Sequence, residues 1–258
     1  MKASARVVVE ADGTGGSRLA ICSGEAPLLP RRTGPRAAVA NGPVEVHLVG
    51  GAAGPLSGDD LLVELEVGPG AWLRVRTVAA TIVLGGRSGP SRTTVRACVA
   101  TGGRLDWLPE PLVATAVCDH HAHATVDLAD SARLTWREEL VCGRAGEDPG
   151  DLVQATEVRV QRRALSVQEQ RVGPSAPGWA GPAGLGGHRA VGSVLIVGAP
   201  VSPCIQRRDG ARGALLPLAD GAAGLACATA VDAYRLREIL TALTPSDGYD
   251  TATGGSSA

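Results

Sequence analysis

The chain has 258 residues, no phenylalanine, four tryptophans and two tyrosines, and a formal net charge of −1. A near-neutral balance gives no electrostatic footprint for DNA or RNA, and so few aromatics leave no stacking platform for single-stranded nucleic acid. Hydrophobic residues at 44% exclude a wholly disordered chain, but without Phe the core must come from Val, Leu and Ala, so a thin, finely layered interior is expected.

The N-terminal Val7-Val8-Val9 run is too short for a secretory signal, and no apolar run reaches the ~18 residues of a membrane helix. A cytoplasmic protein that needs no membrane is expected. In that reducing compartment the six cysteines, none in a CxxC pair, are expected to be free, small core residues. Gly24 to Pro43 reads as a long loop. From there the dominant period is two. Val63, Leu65 and Val67 alternate with Glu64 and Glu66. After Gly68-Pro69-Gly70, Ala71, Leu73 and Val75 alternate with Trp72, Arg74 and Arg76, which predicts two strands joined by a tight turn. Thr93 to Val99, His123 to Leu128, Arg133 to Leu140 and Thr156 to Gln161 continue the pattern, and Val191 to Val197 reads as a buried strand. Gly173 to Gly187 reads as a second long loop, and Ala211 to Ala223 as a poor helix.

Ala233, Leu236, Leu240 and Leu243 change to spacings of three and four, with Thr229 or Asp232 to cap the start and Pro245 to stop the end. This predicts a C-terminal helix. The result is a mainly β chain with one or two helices, without a domain boundary or a repeat of fixed period. The whole of 1–258 forms one domain, with an ordered core over about 5–245 and a small, polar, disordered tail over 246–258.

No P-loop, GxGxxG, HExxH or GxSxG occurs. The densest chemistry is Cys118-Asp119-His120-His121-Ala122-His123. In an extended segment Asp119, His121 and His123 project to one face, and Cys118 and His120 to the other. Thiolate, carboxylate and imidazole are ligands for Zn²⁺, Ni²⁺ or Co²⁺. The same residues also suit a solvated turn and the outer face of the following strand. In Arg133–Leu140, Glu138 shares a face with Leu134, Trp136 and Leu140. A carboxylate there is costly unless paired, so Glu138 reads either as a buried ion pair with an arginine or as a polar group lining an internal passage. Glu139 lies on the opposite face and calls for no special account.

Three stretches in this order resemble one family. They are Gly58-Asp59-Asp60-Leu61 through Gly68-Pro69-Gly70-Ala71 to Thr77-Val78-Ala79-Ala80-Thr81-Ile82-Val83, then Leu105-Asp106-Trp107-Leu108-Pro109-Glu110-Pro111, then Trp136 through Gly143-Arg144 to Gly146-Glu147. Together they are similar to the urease accessory protein UreD family, named UreH in some organisms. The sequence departs from the family's pattern at Val78 and Ile82, and the Cys118–His123 cluster replaces a short turn. The resemblance implies a non-enzymatic chaperone built of layered or β-helix-like antiparallel and mixed sheets. It implies partners in urease apoenzyme, UreF and, through UreF, the GTPase UreG, with Ni²⁺ in transit and no tightly bound cofactor. It also makes Asp59, Glu138 and Glu147 candidate nickel-path carboxylates, with Thr77 and Thr81 lining the path. Cys118, Asp119, His120, His121 and His123 become a lineage-specific candidate at its mouth. A free-standing metal-binding β protein or a cupin-like enzyme is the alternative. A cupin needs histidines on facing strands, whereas His47 and His188 are remote in sequence from the cluster.

Overall fold

In the computed structural model, which describes residues 1–34, 42–218 and 221–244, the alternating segments become strands of two facing sheets. One sheet has seven strands in the order β14 (Arg163–Val172), β13 (Asp151–Val160), β11 (Asp119–Leu128), β8 (Ser91–Val99), β5 (Asp60–Val67), β1 (Lys2–Ala11) and β2 (Ser17–Gly24). The other has eleven. Its main path runs β16 (Cys204–Arg208), β17 (Ala211–Leu218), β18 (Ala223–Ala230), β15 (Ala190–Val197), β12 (Arg133–Cys142), β9 (Arg104–Leu108), β6 (Trp72–Thr77), β4 (Val44–Gly50) and β3 (Leu28–Arg32). The short β10 (Leu112–Ala114) and β7 (Thr81–Val83) pair beside β12. The middle of each sheet is parallel, and the outer strands are antiparallel.

Parallel neighbours cannot be joined by a hairpin, because the chain must first travel back. It does so by crossing to the other sheet, from β5 to β6, β8 to β9 and β11 to β12. The three crossings are tight turns of one design. Ala71 N donates to Gly68 O at 3.1 Å, Gly103 N to Ala100 O at 2.9 Å and Ala132 N to Ala129 O at 3.3 Å. Their third residues, Gly70, Gly102 and Ser131, all have positive φ, at 67°, 67° and 54°. The turns also stack, with Gly70 N bonded to Thr101 O at 3.1 Å. A Cβ on Gly103 would lie 2.9 Å from Ala100 O and 3.0 Å from Gly68 O, so the stack requires glycine there. Gly68-Pro69-Gly70 therefore does join two strands, but they belong to different sheets and do not pair.

Equivalent positions align across coils. Val63, Val95, Ala124 and Thr156 stand side by side in one sheet, and Leu73, Leu105 and Leu134 in the other. The uneven intervals between them hide the coil from any search for a fixed period. The inner faces meet in a core of Val, Leu and Ala, whose largest members, Trp107 and Trp136, stack with ring centroids 5.2 Å apart.

The expected C-terminal helix is α1 (Ala233–Leu243). Asp232 caps it by accepting from Arg235 N at 2.7 Å. Leu236, Ile239, Leu240 and Leu243 bury its apolar stripe on the outer face of the eleven-stranded sheet, against Val194, Leu215 and Ala226. Pro245 and the tail lie outside the described residues. The second helix does not form. Residues 211–218 are β17, paired on both sides, and Gly213 and Pro217 weaken any helix while β16 and β18 supply ladder partners. The loop expected over Gly24 to Pro43 contains β3, which pairs with β4, and its residues 35–41 lie outside the described part. Residues 173–187 form successive turns with no strand. The cysteines are free, but only Cys118 and Cys142 are buried; Cys22, Cys98 and Cys227 are exposed. Among the described residues no helix is long and apolar enough to cross a membrane.

The helix is also fastened by charge. Glu139, fully buried, receives Arg237 at 2.5 Å and has Arg137 at 3.8 Å, while Glu110 takes Arg237 at 3.2 Å. Arg237→Ala leaves a buried carboxylate short of its main partner and is expected to cost about 3 kcal/mol, seen as a lower urea midpoint at unchanged slope. Replacing Glu139 and Arg237 together with Leu and Met is expected to recover most of that loss.

Candidate functional site: the interior between the sheets

Away from the stacked turns the inner faces change character. Along β6 the inward residues run Leu73, Val75, Thr77, and along β12 they run Leu134, Trp136, Glu138. Going the same way in the opposite sheet, β11 passes from Leu128, Val126 and Ala124 to Ala122 and His120, and β13 from Val158 to Thr156 and Gln154. Apolar columns give way to hydroxyl, amide, imidazole and carboxylate, and the sheets leave space between them. One cavity of about 430 Å³ is lined by residues that include Thr77, Thr81, Trp107, His120, Trp136, Glu138 and Gln154. A second, of about 480 Å³, is lined by Glu138, Gln154, Gln168, Gln170, Ser193, Arg207 and Arg212, among others. Glu138 and Gln154 border both.

Thr156 Oγ1 donates to Glu138 Oε1 at 2.5 Å. Burial raises the Glu138 pKa above its ordinary value of 4.5, against the opposing pull of Thr156, Trp136 and Gln154. The Trp136 indole N–H leans on the carboxylate without closing an ordinary hydrogen bond. Glu138 is half-buried and borders both cavities. The buried ion pair considered for Glu138 does not form on it. It forms one residue on, at Glu139, because the arginines are gathered on the outer face under α1.

The Cys118–His123 cluster divides between faces. Cys118 packs into a buried apolar cluster with Cys142 and Leu152, with Sγ against Asp151 O at 3.6 Å. Burial pushes its thiol up to about 11, so it stays protonated near neutral pH. Asp119, His121 and His123 lie on the outer face, with the two rings stacked at 6.1 Å and His121 Nε2 3.8 Å from Asp119. His120 points inward and is 1% exposed. Its Nδ1 lies 2.8 Å from Ser91 Oγ, while Nε2 is buried without a hydrogen-bond partner among the described residues. Leaving such a group unsatisfied costs about 1–3 kcal/mol. Burial, aided by His121 and His123, lowers the His120 pKa to about 4, so the ring is neutral. Among the described residues no three His, Cys, Asp or Glu side chains stand together as a metal site. His47 and His188 bond to Thr33 and Thr229, away from the cluster.

The other candidates separate. Thr77 and Thr81 line the first cavity, where Thr77 Oγ1 also accepts from Glu110 N at 2.9 Å. Asp59 is buried and already engaged by the Met1 ammonium at 2.7 Å and Leu56 N at 2.8 Å. Burial raises its pKa, and these two contacts outweigh burial and hold it low. Glu147 lies outside both cavities, gripped by Arg144 at 2.8 and 2.9 Å, which holds its carboxyl down to about 2. The sequence reading missed Gln154 and Thr156 as interior polar groups. Their signal was a hydroxyl and an amide in phase with Val158 and Val160.

Comparison with known proteins accords with this architecture. The family model described as UreD urease accessory protein matches residues 1–244. The urease accessory protein UreD of Streptomyces avermitilis is 43% identical over 244 residues, covering 93% of this chain and 95% of the relative. That of Streptomyces coelicolor is 45% identical over 244 residues, covering 93% and 94%. That of a Parafrankia strain is 44% identical over 269 residues, covering 94% and 88%.

The neutral, buried state of His120 predicts a pH dependence. The unfolded ring takes its proton at 6.5 and the folded ring only near 4, so the unfolded state binds more protons in between. The stabilisation from this group is complete above pH 6.5 and is lost as pH falls toward 4. The full span is roughly 3 kcal/mol. The difference in unfolding free energy between the natural chain and His120→Asn is expected to change by about that amount across the window. A pH-independent difference would place the ring in solvent.

Proposed function

Because the chain belongs to the UreD family of urease accessory proteins, we propose that it serves urease maturation as a scaffold and a nickel conduit. Membership in that family carries the role in urease maturation; the conduit and the partners are the reading advanced here. The observation that carries the conduit is the common border of the two cavities, where Glu138 and Gln154 belong to both. Ni²⁺ is cargo in this reading. It enters one cavity, passes the Glu138 carboxylate and leaves by the other toward urease apoenzyme.

The electrostatics of Glu138 suit transit. A buried carboxylate with a raised pKa leans toward its protonated form when nothing is beside it. An arriving divalent cation stabilises the ionised form, so the proton leaves as the metal arrives and returns as it departs. A closed set of ligands would trap the ion, whereas one carboxylate with hydroxyl and amide neighbours holds it weakly. The sheets supply the scaffold, with UreF and urease apoenzyme docked on their surfaces and UreG reached through UreF. GTP hydrolysis falls to UreG in this reading, with which the lack of a P-loop motif in this sequence is consistent.

Two measurements test this. Co-purification with UreF, followed by nickel-dependent urease activation in a strain lacking the native gene, tests the scaffold; a chain that neither binds UreF nor restores activation ends that reading. For the conduit, Glu138→Gln keeps the Thr156 hydrogen bond but removes the titrating oxygen. It is expected to lower the rate of urease activation at limiting Ni²⁺ at least tenfold, with capture of UreF unchanged. Activation at the natural rate removes Glu138 from the path.

A further inference from the structure

The interior cavity holds a second group prepared for a cation. We infer that His120 is a ligand of the travelling ion, a neutral imidazole that offers Nε2 to one coordination position of a borderline divalent cation and is held in place by Ser91. This rests on the conduit reading and gives it a specific interior donor.

The hydrogen bonds set the tautomer. Ser91 Oγ donates to the Asp119 carbonyl at 3.3 Å, which leaves its lone pairs to accept from His120 Nδ1–H at 2.8 Å. The remaining nitrogen, Nε2, then carries a bare lone pair, and it is buried with no hydrogen-bond partner among the described residues. A ligating imidazole is typically oriented in this way, with its other ring N–H donated to a fixed acceptor. The second unpaired nitrogen of the same cavity, Trp136 Nε1, is a donor only and offers a cation nothing. Of the carboxylates that border the cavity, Glu110 and Glu139 are already bonded by Arg237 and Glu138 is not, and the described lining has no Lys or Arg, which favours a cation over an anion. An imidazole selects borderline ions such as Ni²⁺ over Mg²⁺ or Ca²⁺. The site has one strong donor, and water fills the other positions, so it holds the ion briefly. His121 and His123 stack on the outer face; His123 also borders the cavity, and the surface variant below separates it from His120.

The stacked pair Trp107 and Trp136 lines the same cavity, so quenching of tryptophan fluorescence by Ni²⁺ in the full-length chain reports an ion there, independently of urease. Saturable quenching by Ni²⁺ but not by Mg²⁺ is expected. His120→Gln is expected to weaken it at least tenfold, and Ser91→Ala about tenfold, as for loss of a group that orients a ligand. The His121→Ala/His123→Ala double variant should titrate like the natural chain. Thermal midpoints verify that each variant is folded, and Ser91→Ala carries the test should His120→Gln fail to fold. Natural-strength quenching in His120→Gln, or its loss in the double surface variant, overturns the assignment while leaving the conduit standing. If Ni²⁺ produces no saturable quenching in the natural chain, both are overturned. Failure of the Glu138 activation test alone leaves His120 as a ligand without a through-path.

Discussion

The stacked turns at residues 68–71, 100–103 and 129–132 are the constraint on which the rest depends. Each reverses the chain from one sheet into the other, and each sits on the next through backbone hydrogen bonds that tolerate no slippage. With the turns in register, the strands leaving them are in register too, so inward positions line up in columns. Near the turns the columns between the two sheets are Val, Leu and Ala. A core without phenylalanine is then filled by aligned columns of Val, Leu and Ala, with the stacked pair Trp107 and Trp136 as its largest members. Beyond the tryptophans lie the polar cavities.

Strand β12 then divides two neighbouring carboxylates between opposite tasks. Glu139 faces outward under the helix and receives Arg237 and Arg137, so its charge is compensated and fastens α1 to the sheet. Glu138 faces inward and receives a hydroxyl. Because successive residues of a strand must point to opposite faces, the cations gathered for one cannot reach the other through the sheet. The interior carboxylate therefore remains unpaired by arginine while the fold keeps the buried ion pair it uses as a fastener. Glu110 joins the two regions, lining the first cavity while bonding Arg237.

Much of this was legible in local pattern. Alternation from Val63 to Val75 gave both strands and the turn, and the spacing of three and four from Ala233 gave the helix and its buried face, while the choice between Thr229 and Asp232 as its cap was settled by the structure in favour of Asp232. The same alternation correctly separated His120 from His121 and His123. What remained hidden depends on partners distant in sequence. Nothing near Gly68 states whether the next strand pairs with the last or crosses to another sheet, because the parallel neighbours lie a full coil away. Residues 211–218 carry Ala, Arg and Leu that suit a helix, and only the flanking β16 and β18 make them a strand. Glu139 looked ordinary because its arginine stands 98 positions further on. Which face of β11 and β12 is interior is likewise a property of the opposite sheet.

The two interior donors are brought to the same condition by opposite shifts. Burial raises the acid of Glu138 and lowers the base of His120, and in both cases it favours the form without charge. His120 therefore brings no charge of its own to the cavity it lines. A divalent ion reverses the preference, since it stabilises the carboxylate directly and bonds the imidazole lone pair without displacing a proton. In the conduit reading, the ionised form of Glu138 is favoured most while the ion is beside it. A pair of permanently ionised carboxylates in the same place would retain the cation as a structural fixture. On the conduit proposed above, one carboxylate and one imidazole among hydroxyls and amides suit a passage better than a closed site.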